Sequence, residues 1–170
     1  YDPLGRPLSQ TRAGGTMSFQ YDEVGNRKKR IDYAGRITNY TYDNLNRLTK
    51  IEYGDPVAAG APPNAETTYA YDDANRLIGA ITPHAALAYA YTADGLRARQ
   101  TVTASGGSPI TTQYVQDTAY PYAQVIEEYT AEGANPRQLA ATFTFADELI
   151  SQTRYDATGI PATTFVQADG

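Results

Sequence analysis

The stretch YTYDNLNRLTKIEY, residues 40–53, decides the fold. It opens on Tyr40 and Tyr42, which lie two positions apart and therefore point to the same face of an extended strand. Asp43 follows, and Asn46 stands three positions after it. An Asp side chain accepts backbone hydrogen bonds at the start of a turn, and Asn readily adopts the positive φ with which the chain leaves it. The residues beyond the turn again suit a strand, so the stretch predicts a strand, a turn and a second strand.

The same turn pattern occurs seven times along the chain. Five copies begin with Tyr-Asp, and in the other two Ile31-Asp32 and Tyr91-Thr92 occupy the same slot. Three positions after the Asp slot there is always a Gly or an Asn, the two residues that most readily accept a positive φ. We therefore expect a β-turn with a positive φ at each Gly or Asn. The predicted turn positions are Asp2 with Gly5, Asp22 with Gly25, Asp32 with Gly35, Asp43 with Asn46, Asp72 with Asn75, Thr92 with Gly95, and Asp156 with Gly159.

Two aromatic residues, two positions apart, precede four of these turns. The pairs are Phe19/Tyr21, Tyr40/Tyr42, Tyr69/Tyr71 and Tyr89/Tyr91. We predict that successive hairpins are in register and place the pairs in one row, an aromatic ladder whose rings contact rings or Arg side chains of adjacent repeats. The Arg residues after the turns, such as Arg6 and Arg27, are expected either to pair with the turn Asp or to stack on the rings.

The spacing of the repeats defines the predicted organisation of the chain. The Tyr of the slot recurs roughly every 20 residues, except for a longer step between Tyr42 and Tyr71. The excess lies in residues 54–64, which are rich in Gly, Pro and Ala and predict an inserted surface loop. We expect tandem repeats over residues 1–102 and a meander over residues 103–170, the two forming one continuous structural unit.

The meander keeps an alternating pattern without the strict repeat. Strands are predicted at Gln113–Val115, Gln124–Tyr129, Ala140–Phe145 and Leu149–Arg154. Helical periodicity is absent, so we expect no helix longer than about two turns. The predicted fold class is all-β, with tandem antiparallel hairpins forming a continuous sheet strip.

Composition and charge exclude several classes of function. The chain has 14 Lys and Arg against 19 Asp and Glu, and the resulting net charge of −5 comes without any basic run that would attract nucleic acid or an anionic membrane. Cys is absent, which excludes disulfides and thiolate metal sites. No apolar run reaches the roughly 20 residues that a membrane-spanning helix needs.

The tandem Tyr-Asp-x-x-Gly-Arg pattern, with Tyr-x-Tyr-Asp joining its units, resembles the YD repeat of bacterial RHS proteins, Tc-toxin C subunits and animal teneurins. Residues 122–129 and 147–152 are similar to the segment before the end of the RHS core, and residues 165–170 resemble the start of the family's DG-x-GSTR motif. The resemblance implies a β-sheet strip that spirals into a hollow shell. In toxin members this shell encloses a C-terminal effector, which a self-cleaving aspartyl motif releases.

In such proteins the cleavage motif lies beyond the position of residue 170, so we expect the chain to be a segment of the wall alone. The resemblance also implies a bacterial protein that is secreted or displayed at the cell surface.

Two residues that could carry chemistry are better explained as turn residues. His84 is the only His, and it follows Pro83 without neighbours that would complete a catalytic triad or a metal site. The segment Asp2-Pro3-Leu4-Gly5 superficially matches the family's cleavage sequence, but it occupies an ordinary repeat slot, in which Pro suits the first inner turn position.

The remaining polar motifs are also expected to be structural. Asp72-Asp73 and Glu127-Glu128 are neighbours in the chain, and neighbours in a strand point to opposite faces rather than into one pocket. The glycosylation sequon Asn39-Tyr40-Thr41 lies inside a predicted strand and is interpreted as a coincidence. The sequence therefore predicts no catalytic, cofactor-binding or metal-binding residue.

Three functional hypotheses follow. The first is a structural shell segment that encloses a toxin or effector domain, with the remaining repeats of the same or a companion chain as partners. The second is a surface recognition module that binds carbohydrate or another cell through Tyr-rich faces, and the third and weakest is an enzyme. Burial of the aromatic pairs would favour the shell, and an exposed aromatic patch would favour recognition.

Overall fold

The computed structural model describes residues 1–54, 65–119, 123–145, 149–156 and 158–165. These residues form fourteen β-strands and contain no helix. The strands are β1 Ser9–Arg12, β2 Gly15–Tyr21, β3 Arg27–Ile31, β4 Ile37–Tyr42, β5 Leu48–Tyr53, β6 Glu66–Tyr71, β7 Leu77–Ile81, β8 Ala85–Tyr91, β9 Arg97–Ala104, β10 Pro109–Asp117, β11 Gln124–Glu132, β12 Gln138–Phe145, β13 Leu149–Tyr155 and β14 Pro161–Phe165. The predicted all-β fold is confirmed.

The chain divides into two compact units, residues 1–85 and residues 86–170. In the first unit, strands β1 to β7 follow one another in chain order, and each pairs antiparallel with the next. In the second unit, strands β9 to β14 do the same. The boundary predicted at residue 102 falls inside β9, and most of the predicted insertion, residues 55–64, lies outside the described residues.

The strands predicted in the second half of the chain are present. Residues 113–115 lie in β10, residues 124–129 in β11, residues 140–145 in β12 and residues 149–154 in β13. Alternation of apolar and polar residues was therefore a sufficient signal for strands where the turn motif fades.

Each unit is a single layer of strands. The contacts between described strands join only strands that are consecutive in the chain. No large side chain among the described residues is fully buried, and the buried apolar residues are Ala65, Ala80 and Ala141. A sheet normally covers one face with a second layer. Here strand pairing and contacts between side chains on the same face take the place of such a core.

The aromatic pairs do not form the straight row that was predicted. Phe19 on β2 lies opposite Arg30 on β3, and Arg30 lies opposite Thr38 on β4. Tyr40, which is the counterpart of Phe19 in the repeat, is thus two residues further along β4. In the same way Tyr40 aligns through Ile51 with Thr67, two residues before Tyr69. The prediction of repeats in register is wrong for these three pairs.

A β-bulge after each turn accounts for one of the two residues of this offset. The register shifts between Gln20 and Tyr21, between Thr41 and Tyr42, and between Ala70 and Tyr71. A bulge inserts one extra residue into one strand of a pair. Two residues advance about 6.7 Å along a strand and two strand spacings measure about 9.6 Å, so equivalent side chains follow an oblique line at about 35°.

Candidate functional site: the repeated Asp turn

The turn that begins at Asp43 shows the geometry that the repeat encodes. The backbone N–H of Asp43 donates to the carbonyl of Arg47 at 3.0 Å, and the N–H of Asn46 donates to the carbonyl of Asp43 at 3.0 Å. One carboxylate oxygen of Asp43 accepts the N–H groups of Leu45 and Arg47 at 2.9 and 3.0 Å. The other accepts the Nε–H of Arg47 at 2.7 Å. The Asp side chain is therefore the centre of the turn.

The other copies repeat these bonds. Turns beginning at Asp2, Asp32 and Asp72 place an Arg Nε within 2.6–2.7 Å of the Asp Oδ2. At Asp22 the amide of Asn26 takes the place of the guanidinium, at 3.0 Å. Where Thr92 replaces Asp, its hydroxyl still accepts the N–H of Leu96 at 3.1 Å. At Asp156 the carboxylate accepts the N–H of Ile160 at 2.9 Å.

All seven turns contain a left-handed residue at the position inferred from the sequence. The φ angles are 75° at Gly5, 105° at Gly25, 81° at Gly35, 61° at Asn46, 63° at Asn75, 87° at Gly95 and 81° at Gly159. The two Asn residues are the only described non-Gly residues with a positive φ. Their place in the turns agrees with the tolerance of Asn for this region.

Hydrogen bonds hold the pKa of the turn carboxyls below its ordinary value. For Asp2, Asp43 and Asp72 the backbone N–H of the Arg four positions later contributes most to the lowered pKa. For Asp22 and Asp32 burial is the largest single influence and raises the pKa, but the hydrogen bonds together outweigh it. The turn is thus built around the ionised carboxylate.

Both predicted roles of the Arg residues occur, and the position in the repeat decides which Arg pairs with the turn Asp. Four positions after the turn Asp, an Arg pairs with that Asp, as Arg47 does. Arg27 and Arg97 stand one position later, because Asn26 and Leu96 occupy the fourth position. These two Arg side chains lie over the rings of Phe19 and Tyr89, at 4.6 and 5.4 Å from the ring centroids.

Successive turns on the same edge of the first unit are linked to one another by side chains. The amide Nδ2 of Asn26 donates to Oδ1 of Asn46 in the next turn at 2.9 Å. In turn, Nη1 of Arg47 donates to Oδ1 of Asn75 at 2.9 Å and to the carbonyl of Asp72 at 3.2 Å. The residue four positions after one turn Asp thus donates to the residue three positions after the next turn Asp on this edge.

The first pair of turns has the same arrangement without the acceptor. Nη1 of Arg6 lies 3.2 Å from the point where a Cβ of Gly25 would stand. Gly25 offers no side chain, and this Nη1 is buried without a hydrogen-bond partner. These links were not predicted from the sequence, although the presence of Asn in place of Gly at Asn46 and Asn75 was a visible signal.

A second link between repeats runs through the tyrosine hydroxyl before each turn. Tyr21 donates to the carbonyl of Pro7 at 3.0 Å, and Tyr42 donates to that of Arg27 at 3.1 Å. Tyr71 donates to the carbonyl of Leu48 at 2.9 Å. Each acceptor stands five positions after the Asp of an earlier turn, so the contact is the same in all three.

Arginine side chains of the earlier repeat also cover the rings. The guanidinium of Arg6 lies 4.6 Å from the ring centroid of Tyr21, and that of Arg47 lies 4.9 Å from that of Tyr71. The eight residues of the predicted ladder, Phe19, Tyr21, Tyr40, Tyr42, Tyr69, Tyr71, Tyr89 and Tyr91, are all half-buried. The aromatic positions therefore connect repeats through Arg side chains and backbone carbonyls, along an oblique line.

The two candidates for chemistry near turns lie in structural positions. His84 is exposed in the bend after β7, and its N–H donates to the hydroxyl of Thr82 at 3.3 Å. In the Asp2-Pro3 segment, the carboxylate of Asp2 accepts the N–H groups of Leu4 and Arg6 at 3.0 and 2.9 Å. It is engaged in the same way as the carboxylates of Asp32, Asp43 and Asp72.

The paired carboxylates point in different directions. Glu127 accepts the hydroxyl of Tyr129 at 3.0 Å, whereas Glu128 lies 3.8 Å from Arg154. Asp72 is the centre of a turn, and Asp73 is exposed beside it. No group of three or more potential metal ligands occurs within the described part of the chain.

A family model of the RHS repeat matches residues 1–34 and residues 21–58. These residues include the first four Asp turns, whose bonds are described above. Residues 1–58 are therefore RHS repeats. The turns after residue 58 have the same backbone hydrogen bonds and the same positive φ as the turns in the matched repeats. This geometry extends to the turn at Asp156 and Gly159.

Comparison with solved structures and with curated proteins adds little to the match with the RHS repeat. A chain in the structure of the Photorhabdus luminescens Tc holotoxin pore, with a mutation in TccC3, is 14% identical to this chain at a TM-score of 0.45. The match covers 96% of this chain, which spans only 12% of the length of that one. No curated protein matches the sequence. The assignment to the RHS repeats rests on the family model and the turns.

The described residues contain no helix that is long and apolar enough to cross a membrane.

Proposed function

We propose that this RHS-repeat chain is a segment of a β-sheet wall that encloses a C-terminal toxin or effector domain. The observation that carries the proposal is the linked turn edge, on which the turns at Asp22, Asp43 and Asp72 are bonded internally and joined to one another by Asn26–Asn46 and Arg47–Asn75. Such an edge holds consecutive hairpins in a fixed order without a hydrophobic core. A wall one strand layer thick needs this property.

The offset between repeats supports a strip that winds. The register is staggered by two residues over two strands, which is one residue per strand. An eight-stranded barrel with a shear of eight has the same stagger per strand, and its strands tilt by about 36°. In an open strip the same stagger makes each repeat advance along the strand direction. A spiral is the shape that such an advance favours.

The bonds made by the turn carboxylates also support a structural role. The carboxylates of Asp2, Asp32, Asp43 and Asp72 are each bonded to two backbone N–H groups and one guanidinium within their own turn. A carboxylate held in this way stabilises the turn and is poorly placed to transfer protons to a substrate.

The partners that fit this proposal are further repeats of the same or a companion chain. The residues of β1 and β14 are exposed throughout, and each of these strands has one strand neighbour among the described residues. Edge strands present unpaired N–H and C=O groups that a further strand can use. In this proposal the protein is bacterial and acts outside the cell or at its surface.

Electron cryomicroscopy of the full-length protein that contains this chain tests the proposal. We expect the strands of residues 1–170 to form part of a wall with separate density enclosed on one side. Strands that form an isolated domain with both faces in solvent would refute the wall, and a glycan array would then test the recognition module. Saturable glycan binding that is lost in Tyr40→Ser and Tyr69→Ser would establish that alternative.

A further inference from the structure

A depression of about 550 Å³ lies on one face of the first unit, beside the turn between β3 and β4. Gln10 and Arg12 of β1 line it together with Met17 of β2 and Arg30 of β3. The register places these residues close together, because Gln10 lies opposite Met17 and β2 pairs with β3. The Asp32 turn closes the depression and adds Arg36 to its lining.

Three guanidinium groups and one carboxylate line this depression. Asp32 is already engaged, because its Oδ2 accepts the Nε–H of Arg36 at 2.7 Å and its Oδ1 accepts the N–H groups of Ala34 and Arg36. Arg12 lies flat on the ring of Tyr33, with its Cζ 3.8 Å from the ring centroid. The site therefore has a local charge of +2 on a chain whose net charge is −5.

Arg30 supplies the second, independent observation. Its Nε is buried and has no hydrogen-bond partner among the described residues. A buried donor on a charged group that lacks an acceptor is costly, and nearby like charges add to the cost. An anion bound to the accessible N–H groups of these side chains would offset both costs through its negative charge, and the planar fork of a guanidinium matches its oxygens.

We propose that this depression is a binding site for an oxyanion group of the sulfate, phosphate or carboxylate class. The Nη groups of Arg30, Arg12 and Arg36 supply the donors, and the negative charge of the anion offsets the cost of the buried Nε of Arg30. The stacking of Arg12 on Tyr33 holds one guanidinium in place before the anion binds. The proposal is independent of whether the wall encloses a cargo.

The test is an NMR titration of the complete 170-residue chain with inorganic phosphate or sulfate at constant ionic strength. The Nε–H signal of Arg30 is the reporter, and sodium chloride at the same ionic strength is the reference. We expect a saturable shift of this signal with phosphate and sulfate but not with chloride. Titration with acetate distinguishes a site that accepts any carboxylate from one that requires a tetrahedral anion. Equal shifts in chloride would overturn the proposal, because they would reflect screening alone.

Two variants and a matched control complete the experiment. Arg12→Gln, followed by the Arg30 signal, and Arg30→Gln, followed by the Nε–H signal of Arg36, should each weaken phosphate binding at least fivefold. Arg27→Gln, on the same sheet but outside the depression, should change it less than twofold. If Arg30→Gln fails to fold, Arg12→Gln decides the outcome, because its side chain is exposed on the edge strand. Equal losses in all three variants would show a general charge effect and refute the site.

Discussion

Replacing Gly35 with Ala isolates the conformational requirement of the turn. Gly35 has a φ of 81°, and nothing lies within 4 Å of the point where a Cβ would stand. The substitution therefore causes no clash, and its cost comes from the left-handed backbone, about 1–2 kcal/mol for a residue with a Cβ. Part of this cost is offset because Ala restricts the unfolded chain, by about 0.4–1 kcal/mol. The expected net loss is about 0–1.6 kcal/mol.

Gly14 offers a matched control. It also has open space around its Cβ position, but its φ is outside the left-handed range. Gly14→Ala should leave the free energy of unfolding unchanged or raise it by up to about 1 kcal/mol. Gly35→Asn should lose less stability than Gly35→Ala, because Asn46 and Asn75 occupy the same turn position with φ of 61° and 63°.

Urea unfolding followed by circular dichroism measures the three variants against the parent chain. The account requires Gly35→Ala to be less stable than Gly14→Ala by about 1–2 kcal/mol. Equal stabilities for these two variants would refute the claim that the residue three positions after the turn Asp needs a positive φ.

Three further predictions concern the links within and between repeats. Tyr71→Phe removes the hydroxyl that donates to Leu48 and should cost about 0.5–1.5 kcal/mol in urea unfolding, whereas Tyr69→Phe, whose hydroxyl has no such partner among the described residues, should cost little. A double-mutant cycle of Arg47→Ala and Asn75→Gly should give a coupling of about 0.5–1 kcal/mol, and strict additivity would contradict the link between turns. The folded pKa of Asp43 lies below its ordinary value of 3.8, so its stabilising effect is present above that pH and is lost as the pH falls through the folded pKa. The difference in Tm between the parent chain and Asp43→Asn should therefore be largest near neutral pH and shrink below about pH 4, with Asp73→Asn as the control; a difference that is constant down to pH 2 would contradict the role of the carboxylate.

The turns could be predicted from the sequence because their chemistry is local. Asp43, Asn46 and Arg47 lie within five residues of one another, and their bonds depend only on the side chains present and on one left-handed residue. Which Arg pairs with its turn Asp was open, because a single position in the repeat decides it. Arg47 pairs with Asp43 and also lies over the ring of Tyr71, whereas Arg27, one position later in its repeat, lies over the ring of Phe19.

The register between repeats could not be predicted in the same way. Equal spacing of Tyr21 and Tyr42 suggested hairpins in line, but spacing alone does not reveal a bulge. The links Asn26–Asn46 and Arg47–Asn75 depend on this register, as does the meeting of Arg12 with Arg30 at the proposed anion site. Such contacts join residues that are distant in the chain and follow only from the paired strands.

Hydrogen exchange of the turn amides tests the central claim most directly. The N–H groups of Leu45 and Arg47 lie at the edge of the sheet, where turn amides usually exchange quickly, but both donate to the carboxylate of Asp43. We expect these amides to exchange as slowly as those of the adjoining strands β4 and β5, and Asp43→Ala to accelerate them selectively. Turn amides that exchange at the rate of an unfolded peptide, while the strands remain protected, would contradict a wall held together by its Asp turns.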